Sequence, residues 1–112
     1  MTDAIVVLIN AASAEQALEI ARAVVEERLA ACANIISPIR SIYRWHDAVQ
    51  DETEHMMLVK TRAELFAKLE LRVKELHSYE VPEIVALPIV EGAQSYLDWV
   101  FESTAAAPRG EK

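Results

Sequence analysis

Two periods of hydrophobicity alternate along this chain, and each change of period marks an element. Asp3 to Ile9 is a short, continuous run rich in β-branched side chains. It predicts a central strand covered on both faces, or covered on one of them by a partner. Ser13-Ala14-Glu15-Gln16 then has the form of a capping box, and Leu18, Ala21, Val24, Val25 and Leu29 follow helical spacing. Glu15, Glu19, Arg22 and Glu26 take the opposite side, so a first helix is expected to run to about Leu29.

Ile35 to Trp45 is rich in strand formers, but Pro38 cannot donate to a ladder, which predicts a bulge or an edge position there. The polar stretch His46 to Glu52 has no Asn-Gly turn and separates this strand from Glu54 to Lys60, whose apolar centre suits the second arm of a hairpin. Thr61-Arg62-Ala63-Glu64 reads as a second capping box. Leu65, Phe66, Leu69, Val73 and Leu76 then form one stripe, with Glu64/Lys68 and Glu70/Lys74 paired at four-residue spacing. Glu83 to Val90 predicts a last strand that Pro88 stops or pushes to an edge, and Gln94 to Ser103 a short C-terminal helix.

The order βαββαβ plus a helix defines the class as α+β. Right-handed crossovers make a ferredoxin-like sandwich, two helices on one face of a four-stranded antiparallel sheet, its simplest closure. Two helices cover only one face, yet the runs at 5–9 and 84–90 are apolar on both sides of the pleat. The second face is therefore expected to be buried by other subunits. Residues 1–104 are read as one domain and residues 105–112 as a disordered tail.

Composition narrows the function classes. Eighteen acidic against eleven basic residues give a net charge of −7, which repels a phosphate backbone and argues against nucleic-acid binding. The same charge raises the local concentration of cations. With Cys32 as the single cysteine no intramolecular disulfide forms, and no apolar run approaches the ~20 residues that cross a bilayer. A cytoplasmic, membrane-free protein is expected.

Several segments together resemble the CutA family. They are Glu26-Glu27-Arg28-Leu29-Ala30-Ala31-Cys32-Ala33-Asn34-Ile35, Ser41-Ile42-Tyr43-Arg44-Trp45, Leu58-Val59-Lys60-Thr61, His77-Ser78-Tyr79-Glu80-Val81-Pro82-Glu83-Ile84 and Tyr96-Leu97-Asp98-Trp99. The resemblance extends from about Ile5 to Ser103. It implies a ferredoxin-like protomer, a homotrimer, an architecture like that of the PII regulatory proteins, and a cytoplasmic role in tolerance of copper and other divalent cations. Some members bind copper through a Cys near the end of the first strand and two adjacent His residues. This chain carries Ile9 and Leu76 where that Cys and the first His would stand, keeps His77, and has Ser78 where Pro is usual.

The candidate ligands for a metal ion are Cys32, a soft thiolate donor, with His77 and Glu80 three residues apart after the second helix. Each also has a structural reading, Cys32 as a small buried hydrophobe and His77 as a helix cap. No cofactor is obligatory, and copper or another divalent cation is the candidate ion. A second set, Arg40, Tyr43, Trp45, Lys60, Tyr79 and Glu83, would line an intersubunit cleft for a small anionic ligand, with Lys60 also placed to pair with Glu83. An enzyme using Cys32 and His77 as nucleophile and base ranks lowest, because the chain has neither a nucleophile elbow nor a glycine-rich phosphate loop. The expected function is a trimeric divalent-cation tolerance module without enzymatic activity, with an anion-binding regulatory module as the alternative.

Overall fold

A computed structural model describes residues 2–104, and the expected tail at 105–112 lies outside the described residues. The elements run β1 (Ala4–Ala11), α1 (Ala14–Glu26), β2 (Cys32–Trp45), β3 (Ala48–Arg62), a 3-10 turn (Ala63–Leu65), α2 (Phe66–Leu76), β4 (Ile84–Pro88) and α3 (Gln94–Ser103). One antiparallel sheet is ordered β2-β3-β1-β4. This is the ferredoxin-like α+β arrangement with an added C-terminal helix, and β4, which carries Pro88, lies at its edge.

Strand alternation separates two faces. Ile5, Val7 and Ile9 of β1 point to the helices with Met57 and Val59 of β3, and join Ala17, Ile20, Ala21 and Val24 of α1 and Leu69 and Val73 of α2 in one core. The sheet-facing stripe of α1 differs from the one its sequence suggests. Ile20 is fully buried, whereas Leu18 is 52% exposed and Val25 also lies outside the core, because the line Ala17–Ile20–Ala21–Val24 meets the sheet and the other two fall on its flank.

Ser13 caps α1 as its sequence predicts, accepting the Gln16 backbone N–H at 3.1 Å. The second capping box does not form. Thr61 is still in β3, fully buried, and donates its hydroxyl to the Leu29 carbonyl at 2.7 Å, so α2 is entered through the 3-10 turn without a side-chain cap. Glu70 and Lys74 do pair, at 3.1 Å, while Glu64 turns back to Arg62.

The hairpin is longer than expected. His46 and Asp47 both take positive φ, 52° and 64°, and close a two-residue turn between Trp45 and Ala48. That geometry matches the twist of the arms without an Asn-Gly sequence, so the residues from Ala48 to Glu52 become strand. Register shifts between Ile36 and Ile39, placing the bulge where Pro38 predicts it.

On the face away from α1 and α2, α3 covers one end. Arg62 clamps it there, donating to the Thr104 hydroxyl at 2.8 Å and to the Phe101 carbonyl, with its guanidinium 4.9 Å from the Phe101 ring centre. The rest of this face keeps apolar side chains in the open, among them Ile36, Val85 at 47% and Leu87 at 50% exposure. A sheet with one bare apolar strip of this kind is built to be covered.

Candidate functional site

Beyond the strip covered by α3, a cleft of about 770 Å³ opens between the long hairpin and the segment that follows α2. Its geometry starts from β1. Asn10 ends the apolar run on the face away from the helices, where its amide is 8% exposed. It donates to Glu54 at 3.4 Å and to Glu83 at 3.3 Å. Those two bonds fix the amide orientation, since a flipped group would set its oxygen against two carboxylates. The Asn10 Oδ1 is buried and has no hydrogen-bond partner among the described residues.

Glu54 is 5% exposed, in the strand just past the bulge, and besides Asn10 it accepts the Tyr79 hydroxyl at 2.6 Å. On the hairpin arm, Tyr43 donates to Glu52 at 2.6 Å. That bond, reinforced by partial desolvation, pushes the Tyr43 phenol up to about 12. Burial, followed by the bond to Glu54, raises Tyr79 further still. Both phenols therefore keep their protons at neutral pH and spend them on carboxylates. Burial, then the Glu54 charge, also lifts the Glu83 carboxyl above its ordinary range.

His77 braces this wall. Its Nδ1 accepts the Tyr79 backbone N–H at 3.1 Å, so the imidazole is the neutral tautomer with the proton on Nε2, and Nε2 donates to the Asn10 carbonyl at 2.6 Å. Both ring nitrogens are thus engaged inside the protomer. His77 is also the C-cap residue of α2, as its structural reading expects, although its side chain serves the cleft wall and not the helix carbonyls. The capping contact at the end of α2 is instead the backbone His77 N–H bonding the Val73 carbonyl.

The sequence-derived metal set is not assembled in one protomer. Cys32 starts β2 in register with Lys60 and hence with Val6, while His77 contacts Asn10, about 13 Å further along β1 at ~3.3 Å per residue. No group of three or more His, Cys, Asp or Glu side chains among the described residues is close enough to hold a metal ion. Glu80 lies in the cleft wall, exposed, and Cys32 sits 3.6 Å from the Tyr96 hydroxyl at the opposite end of the sheet. Burial, followed by that thiol contact, pushes Tyr96 up to about 12. The same separation means that Cys32 and His77 do not form a nucleophile–base pair within the protomer.

The second set divides. Tyr43, Trp45, Tyr79 and Glu83 line the cleft. Arg40 does not; it is bound to Asp51 across the hairpin through two nitrogens at 2.8 and 2.7 Å. Lys60 hydrogen-bonds Asn34 and faces α3's end of the sheet, remote from Glu83. Sequence reasoning misses Asn10, and it reads the acidic run Asp51-Glu52-Thr53-Glu54 as a solvated turn that attracts cations only loosely, whereas the run is part of β3 and Glu54 is buried. A polar side chain closing an apolar strand and a carboxylate leading one were the signals available. With Glu52, Glu54, Glu80 and Glu83 in its lining and no Lys, Arg or His among the described residues there, the cleft is strongly acidic.

Fold and cleft together define a ferredoxin-like α+β domain with an acid-lined, aromatic recess on its sheet. The family model described as CutA1 divalent ion tolerance protein matches residues 5–103. The chain belongs to that family. It is 58% identical over 99 residues to the divalent-cation tolerance protein CutA of Thermus thermophilus, covering 88% of this chain and 96% of that one. The solved divalent cation tolerance protein of the same organism superposes with a TM-score of 0.89 at 56% identity, over 91% of this chain and 99% of that one. A structure described as the periplasmic CutA of Archaeoglobus fulgidus gives a TM-score of 0.87 at 43% identity, over 89% and 97% of the two chains. The chloroplastic CutA of Arabidopsis thaliana is 41% identical over 100 residues, 89% of this chain but 55% of that longer protein. No helix among the described residues is long and apolar enough to cross a membrane.

Proposed function

We propose that this chain is a homotrimeric binding module that acts, without catalysing a reaction, in tolerance of copper and other divalent cations. The acid-lined cleft is where it gathers cations. The carrying observation is the charge of that wall: four carboxylates and no basic side chain among the described residues, on a protein of net charge −7. A cleft of this sign weighs against the anionic-ligand alternative, whose two cationic anchors, Arg40 and Lys60, lie elsewhere.

Trimer assembly is supported by the bare strip carrying Ile36, Val85 and Leu87, and by apolar exposure on both pleat faces of β4. Because no metal cluster is complete among the described residues of one protomer, ligands such as Cys32 and Glu80 would be joined by groups from neighbouring subunits. Copper is held as cargo in this reading, not as a resident cofactor. A cytoplasmic location is part of the proposal, resting on a single unpaired cysteine, Cys32.

Isothermal titration of the reduced, assembled protein with Cu(II) and Zn(II) tests it. Saturable binding that weakens in Glu54→Gln or Cys32→Ala supports the reading. Silence toward both metals in a protein of confirmed trimeric mass removes it.

A further inference from the structure

Around Asn10 the polar hydrogens of three residues are already spent on carboxylates. Tyr79 gives its hydroxyl proton to Glu54 and Tyr43 gives its own to Glu52. Asn10 directs its NH₂ at Glu54 and Glu83. What these residues leave are acceptors, phenol lone pairs and the free lone pairs of Glu83 and Glu52, which outnumber the donors of Ser41, Gln50 and Trp45 in the same lining, while the Asn10 Oδ1 behind them is buried with no donor among the described residues. A carboxyl amide that is more than nine-tenths buried and half satisfied is costly unless something supplies the missing bond.

We propose that the cleft binds a small organic cation bearing a primary ammonium or guanidinium group, an inference that rests on the reading of the cleft as a cation-gathering site. Such a head group carries three to five N–H donors and no acceptor, the complement of this wall. Tyr43, Trp45 and Tyr79 line the same recess, and aromatic rings attract ammonium and guanidinium ions through their negative faces. The recess volume falls within the ~300–1,000 Å³ typical of small-molecule sites, far more than a bare ion fills. A hard divalent ion would need oxygens converging at about 2.0–2.6 Å, and no three acidic, His or Cys side chains among the described residues do so. Glu54 and Glu83 gather around Asn10, and the aromatic Trp45 lies on the hairpin toward its tip, so a guanidinium or ammonium head at the Asn10 end would leave an aliphatic chain running toward Trp45.

The test is calorimetric titration of the full chain with agmatine at low salt, beside glutarate as an anion of similar length. Agmatine should saturate one site per protomer, glutarate should give none, and Glu83→Gln and Trp45→Leu should each weaken agmatine at least tenfold. Absence of agmatine binding in the assembled protein overturns the inference, and so does binding that both variants leave unchanged. Light scattering on the same samples separates two sources of the cation. Unchanged mass marks a free small molecule, whereas a fall in mass would mean that agmatine displaces a basic side chain of a second copy, and the free-ligand form falls. Agmatine binding with no response to copper or zinc keeps this inference and removes the metal reading. Metal binding with no response to agmatine does the reverse.

Discussion

His77 holds the backbone carbonyl of Asn10 through Nε2 at 2.6 Å, joining the end of β1 to the start of the segment that walls the cleft, 67 positions later in the chain. The same ring takes the Tyr79 N–H on Nδ1. One side chain thus sets both the depth of Asn10 and the direction of Tyr79. Replacing His77 with Phe keeps the ring volume and removes both bonds. A loss of about 1–3 kcal/mol is expected in urea unfolding, since two backbone groups are left without partners. A Gln at this position, able to keep one bond, should recover part of it.

The correction on α1 makes a paired prediction. Ile20 is fully buried against the sheet, so Ile20→Ala should cost about 2–5 kcal/mol. Leu18→Ala should cost under ~1 kcal/mol, because half of that side chain already meets water. Equal losses in denaturation midpoints would contradict the observed rotation of the helix.

At the hairpin tip, His46 and Asp47 both sit in the left-handed region, where an L side chain is strained. Substituting Asn-Gly at the two positions should stabilise the fold by about 1 kcal/mol, read as a higher thermal midpoint. Pro at position 47 should lower it, since proline cannot take φ of 64°.

Glu83 gives a pH dependence of definite sign. Its folded pKa is raised above the ordinary 4.5, first by burial and then by Glu54. The folded chain therefore binds this proton more tightly than the unfolded chain, and stability falls as pH rises from about 4.5 through the folded value. Glu83→Gln should be at least as stable as the parent at pH 7 and should flatten that part of the profile. Because Glu83 remains largely exposed, the change should be small, and a variant less stable at pH 7 than at pH 4 relative to the parent would contradict it.

The bare strip on the second sheet face predicts the outcome of a charge insertion. For the proposed trimer, Val85→Glu together with Leu87→Glu should reduce the light-scattering mass from the three times 12.5 kDa expected of the parent toward a single chain while leaving far-ultraviolet dichroism intact. Retention of the trimeric mass would place the contact elsewhere.

Sequence by itself determined the element order, the α+β class, the bulge at Pro38, the Ser13 cap and the edge position of the Pro88 strand, because each depends on local period or on a backbone group that is present or missing. It also carried the family resemblance that the comparison over residues 5–103 bears out. Tertiary structure alone decided the rest. Thr61 satisfies a distant carbonyl instead of capping its own helix, the turn at His46 and Asp47 adopts a strained form that arm pairing imposes, and α1 rotates to the face that fills the core. The acidity of the cleft was likewise invisible. Asn10, Glu54, Tyr79 and Glu83 come from two strands and the segment between α2 and β4, and only the pairing of β1 with β3 and β4 brings their charges and hydrogen-bond donors into one wall.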